Sequence, residues 1–224
     1  MDKQKYNHRK WKKIMDTTQS NYACMINRLT KKSKISNFIL IYYSIFLIMC
    51  SLTSKFFPVY FNTILAEYFN ILISIIMLAY SIINSNADYT TRITKIEKSL
   101  NEIKTLKREL DESNLDESVE KYYKITDKTE RREDVDFFIT VKHLCKEYNI
   151  NWKTNKRKPN EDNNETKNMN EQEKKEYKEQ EDAVNNYLSE INPFIQQIKI
   201  IIDFVWNMAL LFIPVILFAI CFFI

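Results

Sequence analysis

Glycine is absent from all 224 residues of the chain, against about 7% in an average protein. That absence removes glycine-rich phosphate loops, GxGxxG nucleotide turns and GxxxG contacts between membrane helices. Cysteine is sparse: Cys24, Cys50, Cys145 and Cys221 stand far apart with no CxxC among them. Neither a disulfide framework nor a zinc site follows from such spacing. Histidine occurs only as His8 and His143, and each reads as a surface or packing residue rather than a base or ligand. No catalytic constellation, metal site or cofactor is expected, and the chain does not read as an enzyme.

What the chain does have is segregation. Charged and apolar residues fall in separate blocks, and three uncharged runs stand out. Twenty residues separate Lys34 from Lys55, twenty separate Glu67 from Asp88, and a third run follows Asp203 to the last residue, Ile224. Each matches the roughly 20 residues that a helix needs to cross about 30 Å of hydrocarbon. Pro214 in the third run is tolerated in a membrane helix as a kink. The fold expected is an all-α integral membrane protein: two closely spaced transmembrane helices, cytoplasmic amphipathic helices and a third, C-terminal transmembrane helix.

Basic residues set the orientation. Residues 1–34 hold ten Lys or Arg against Asp2 and Asp16, whereas the linker between the first two runs has one residue of each sign. The positive-inside rule therefore keeps the N-terminus in the cytoplasm of a cell whose inner membrane the chain crosses. Arg92, Lys95, Lys98, Lys104, Lys107 and Arg108 place the region after the second run, up to about residue 199, on the same side. The C-terminus then points outward. The outer linker carries Phe56, Phe57, Tyr60 and Phe61, aromatics suited to a membrane interface.

Five segments result. Residues 1–36 form a basic amphipathic helix in which Trp11, Ile14, Met15, Tyr22, Met25, Ile26 and Leu29 recur at helical spacing. Its apolar stripe fits an anionic lipid surface or other cytoplasmic helices equally well. Residues 37–87 are a two-span hairpin. Residues 88–152 are a cytoplasmic helical extension with a short coiled-coil-like seam, Ile93, Ile96, Leu100, Ile103 and Leu110, followed by a helix carrying Val135, Phe138, Val141, Leu144, Cys145 and Tyr148. Between them Glu130, Arg131, Arg132, Glu133, Asp134 and Asp136 read as a charged helix start rather than a carboxylate site. Residues 153–182 lack branched aliphatic side chains and read as a charged, disordered linker. Lys156, Arg157 and Lys158 within it are too few to predict nucleic-acid binding. Residues 183–224 hold a helix and the last span.

The order of these elements resembles the SLATT family of two-transmembrane effector domains of prokaryotic defence systems, over roughly residues 5–150. The residues carrying the resemblance are Trp11–Met15 (WKKIM), the step Tyr42-Tyr43-Ser44, and Arg132–Phe138 (REDVDFF). It implies a membrane effector that oligomerises to open a pore or disrupt the bilayer when a cytoplasmic sensor is triggered, causing cell death or growth arrest. A reverse transcriptase or a nucleotide-signalling enzyme is the kind of sensor it implies. The residues alone leave room for a second reading, a non-conducting anchor or scaffold that recruits a cytoplasmic partner through its helices.

Polar residues inside the spans are the candidate functional surface. At about 100° per residue, Asn70, Ser74, Ser81, Asn84 and Ser85 project near one direction of the second span, and Asn37, Ser44 and Ser51 recur every seven residues on the first. Unpartnered hydroxyls and amides are disfavoured against hydrocarbon. The stripes therefore either join helices or line a wet path between several copies of the chain.

Overall fold

The structure is a computed structural model that describes residues 7–147, 150, 151, 156, 157, 178, 182–189 and 191–223. Helices dominate it, as expected: α1 (His8–Phe56), α2 (Thr63–Asn86), α3 (Tyr89–Glu109), α4 (Leu115–Lys128), α5 (Asp134–Glu147), α6 (182–189) and α7 (Pro193–Phe223). One feature is new: Ile150 and Asn151 pair antiparallel with Arg157 and Lys156. Most of the predicted linker and Tyr148 lie outside the described residues. The chain forms two compact units, Met1–Asn27 with Lys95–Ile200, and Arg28–Thr94 with Ile201–Ile224.

The first unit buries its apolar residues in the manner of a water-soluble helical domain. Trp11, Met15, Tyr22 and Met25 of α1 are buried, as are Ile96, Leu100, Ile103 and Leu106 of α3 and Leu115, Val119 and Tyr122 of α4. Trp11 meets Tyr122 and Tyr123 edge-on, with centroids 5.4 and 5.7 Å apart, and Thr18 Oγ1 lies 2.8 Å from Tyr122 Oη. The stripe on the N-terminal helix is thus occupied by protein, and packing rather than lipid attachment explains it. Leu106, outside the predicted heptad steps, joins the buried seam of α3. Lys107 pairs with Asp16 across this face.

At α5 the charged run starts a helix. Asp136 is fully buried, and its carboxylate accepts the Glu133 N–H at 3.0 Å, the reciprocal half of a capping box. Arg132 stacks 3.5 Å over the Phe137 ring. Phe137, Phe138, Val141 and Cys145 then close a core with Val184 and Leu188 of α6 and with Ile191.

The second unit is built the other way round. Ile41, Ile45 and Ile48 of α1, Ile71, Ile75, Leu78 and Ile82 of α2, and Phe204, Trp206 and Phe212 of α7 are all exposed. Stretches of α1, α2 and α7 are each long and apolar enough to cross a membrane. An apolar surface this extensive is what hydrocarbon, not water, would cover. Inside the unit, Ile39, Tyr43 and Ile73 are buried with Leu210 and Leu217 packed against them.

Two breaks between helices shape this unit without glycine. Asn62 caps α2, its side chain accepting the Leu65 N–H at 3.1 Å, while its own N–H reaches Cys221 O at 2.8 Å. Phe61 is buried and lies 5.2 Å from Phe218, so this member of the outer aromatic set packs inward. Between α2 and α3 the helix breaks at Asp88, which takes φ +43°. That left-handed conformation usually falls to glycine, and aspartate is among the residues that tolerate it best.

Candidate functional site

The polar residues of the hairpin do not form one surface. They divide into a set that joins α1 to α2 and a set left exposed.

The joining set works at both ends of the hairpin. Ser36 Oγ donates to Asn84 Oδ1 at 2.5 Å and shares a hydrogen bond with Tyr80 Oη at 2.9 Å. At the other end Asn70 Nδ2 donates to Ser51 Oγ at 3.1 Å. Ser51 in turn donates to Leu47 O at 3.0 Å. Asn70 Oδ1 is shielded from solvent and has no hydrogen-bond partner among the described residues. Asn84 and Asn70 thus each carry a hydrogen bond from one helix to the other, a contact worth on the order of 0.6 to 2 kcal/mol in a membrane.

Ser36 and Tyr80 take part although the sequence pattern did not select them. Ser36 lies beside Asn37 but on the buried side of α1, seven residues before Tyr43, and that common face was the available signal. Tyr80 lies away from the serines of α2 by helical arithmetic, on the side where its ring packs with Ile39 and Tyr43.

The exposed set is Asn37 and Ser44 on α1 and Ser74, Ser81 and Ser85 on α2, with Ser51 exposed at the edge of the joining set. Ser44 and Ser74 return their hydroxyl protons to Leu40 O and Asn70 O, four residues back, at 2.8 and 2.7 Å. Such back-bonding makes a hydroxyl tolerable in an apolar setting while leaving its lone pairs outward.

Where this set lies follows from α7. On α1 the residues touching α7 are Tyr42, Tyr43 and Phe46. Tyr42 and Phe46 project about 140–180° away from Asn37, Ser44 and Ser51 on the helical wheel, and Tyr43 about 80–120°. On α2 the apolar residues that flank α7 are Leu65, Phe69 and Ile73. Leu65 and Phe69 lie 120° or more, and Ile73 80° or more, from Ser74, Ser81 and Ser85 at about 100° per residue. Both serine rows thus border the α1–α2 groove on the face turned away from α7, with exposed isoleucines on either side.

Among the described residues no group of three His, Cys, Asp or Glu side chains comes together to hold a metal. Outside the apolar membrane-spanning stretches, burial raises the Cys24 thiol and the Tyr22 and Tyr122 hydroxyls above their ordinary range, and it pushes Cys145 up to about 11. These groups stay neutral at physiological pH and act as core packing.

The model described as the SMODS and SLOG-associating 2TM effector domain, family 5, matches residues 4–220. The chain belongs to that family. The match covers nearly the whole SLATT chain, including α6 and α7, and so extends the resemblance well beyond residue 150. The family is described by two transmembrane helices, whereas this SLATT chain has, among the described residues, three helices of membrane-spanning length and apolarity. No curated protein and no solved structure matched the chain.

Proposed function

We propose that this SLATT protein is the membrane effector of a prokaryotic antiviral defence system, seated in the inner membrane with its N-terminus and first unit in the cytoplasm and its C-terminus outside. Several copies assemble through the face of the hairpin that carries Asn37, Ser44, Ser51, Ser74, Ser81 and Ser85. That face lines or seeds a polar breach in the bilayer when a cytoplasmic sensor, a reverse transcriptase or a nucleotide-signalling enzyme, is triggered. Leakage then stops growth or kills the cell.

The observation that carries this reading is the double row of exposed hydroxyls and amides on the face opposite α7. Facing lipid it would leave polar groups in hydrocarbon. Facing water or a second copy of the same face it would not, and two or three spans per chain are too few to enclose a path alone.

The test is ion and dye leakage from cells producing the protein with its triggered partner. Ser74→Leu with Ser81→Leu should cut leakage several-fold while the protein remains in the membrane. Ile75→Leu, on the neighbouring apolar face, should leave leakage intact. Undiminished leakage in the serine variant would remove the lining. No leakage from the wild type would favour the non-conducting anchor, which should also survive replacement of residues 37–84 by unrelated spans.

A further inference from the structure

The third helix carries a defect that the first helix repairs. Pro214 lies inside α7 and has no N–H, so Leu210 O, four residues back, lacks its intrahelical donor. In water such a carbonyl would be solvated; in hydrocarbon it must find a donor from a neighbouring helix. Tyr43 Oη donates to Leu210 O at 2.8 Å, and Tyr42 Oη donates to Leu211 O at 3.0 Å. Both tyrosines belong to α1, and Tyr43 is buried.

The two donors reach consecutive carbonyls just where the ladder of α7 is interrupted. A Phe pair would fill much the same volume and leave Leu210 O unpaired. Below the clasp, Phe218 packs on Phe46 and Phe61, and Cys221 is buried beside Phe61 and Ala66. The rest of α7 therefore depends on the same docking.

We infer that Tyr42, Tyr43 and Pro214 form a hydrogen-bonded clasp that makes α7 an integral third member of the membrane unit. The proline frees Leu210 O and Tyr43 answers it, while Tyr42 adds a second bond to the neighbouring Leu211 O, so α7 separates from the hairpin only by leaving Leu210 O bare in the bilayer. The clasp also fixes which hairpin face is taken, and so which face remains open. It does not depend on what the open face does.

Cys221 is a native reporter for this clasp, since it becomes reachable when α7 lifts. Cys145, in the other unit, is the control for general unfolding. The experiment measures N-ethylmaleimide modification of each cysteine, peptide by peptide, on the full chain in lipid nanodiscs. Tyr43→Phe should speed Cys221 modification about three- to twentyfold, the range of membrane interhelical hydrogen bonds at tenfold per 1.4 kcal/mol, with Cys145 unchanged. In a Pro214→Ala background residue 214 regains its N–H, Leu210 O regains its donor, and the same Tyr43→Phe change should have little effect.

Equal acceleration in both backgrounds would overturn the clasp, because the tyrosine would then be acting by packing alone. No acceleration with proline present would overturn it too. If Tyr43→Phe also exposes Cys145, the cycle is read in the ratio of Cys221 to Cys145 modification, and a ratio that rises equally in both backgrounds, or in neither, overturns the clasp. Leakage is not read in this experiment, so a failure of the pore reading leaves it intact.

Discussion

The two units of this chain solve opposite problems with the same helix. In the unit formed by Met1–Asn27 and Lys95–Ile200 apolar residues such as Met15, Met25, Ile103, Phe138 and Val141 are buried, and among the described charged residues Asp136 alone is buried with them. In the unit formed by Arg28–Thr94 and Ile201–Ile224 the large apolar residues are outside, and hydroxyls and amides supply specific contacts. The first is held by the hydrophobic effect, which requires water around it. The second gains nothing from burying leucine against leucine when lipid is equally apolar, so its specificity comes from bonds such as Ser36–Asn84, Asn70–Ser51 and Tyr43–Leu210.

That contrast is breakable at defined points. The largest effect is expected in the first unit, where Phe138→Ala should cost about 3–5 kcal/mol by emptying a closed core. Thermal denaturation of the full chain in detergent would measure it, and a loss below about 1 kcal/mol would show that this core is not what holds α5 to α6. Next comes a change at an exposed site of the second unit, Ile75→Lys, at a residue 62% exposed. If lipid covers that face the substitution should cost about 2.5–3.5 kcal/mol of insertion, seen as a smaller share of the chain resisting alkaline extraction from membranes. Were the face in water, lysine there would be harmless, and the contrast between the units would collapse.

The smallest effect is a pH dependence confined to the first unit. Burial raises the Cys145 thiol from 9.0 to about 11, so the folded state disfavours its ionised form. The raised value means that its contribution is complete below about pH 9 and is lost as pH rises toward 11. Stability should fall by about 1 kcal/mol by pH 10, and Cys145→Ala should flatten that slope. An unchanged slope would assign the alkaline loss to other groups, with the buried Tyr22 and Tyr122 next in line.

Much of the membrane unit was legible from uncharged length alone. Twenty-residue runs between Lys34 and Lys55 and between Glu67 and Asp88 imply helices because hydrocarbon leaves the backbone no other way to satisfy itself. The helix start at Arg132–Asp136 was legible too, since acids at the head of an apolar periodic run favour capping. The pairing of α5 with α6 was not, because amphipathic faces announce that they need a partner without naming it. Helical arithmetic put Asn70 and Asn84 with the serines of α2, and a sector about 100° wide on a wheel is too coarse to show that its two flanks meet different neighbours.

By itself, then, the sequence determined the local facts: which stretches are helical, which suit lipid, where helices start, and that Pro214 leaves a carbonyl without a donor. Tertiary structure decided which side chain answers each need. It gave the stripe of α1 to Tyr122 rather than to lipid, Asn84 to Ser36, Leu210 O to Tyr43, and left the serine rows facing out. The reason is that periodicity and valence are properties of one helix, whereas the choice of partner depends on the distance and rotation between two.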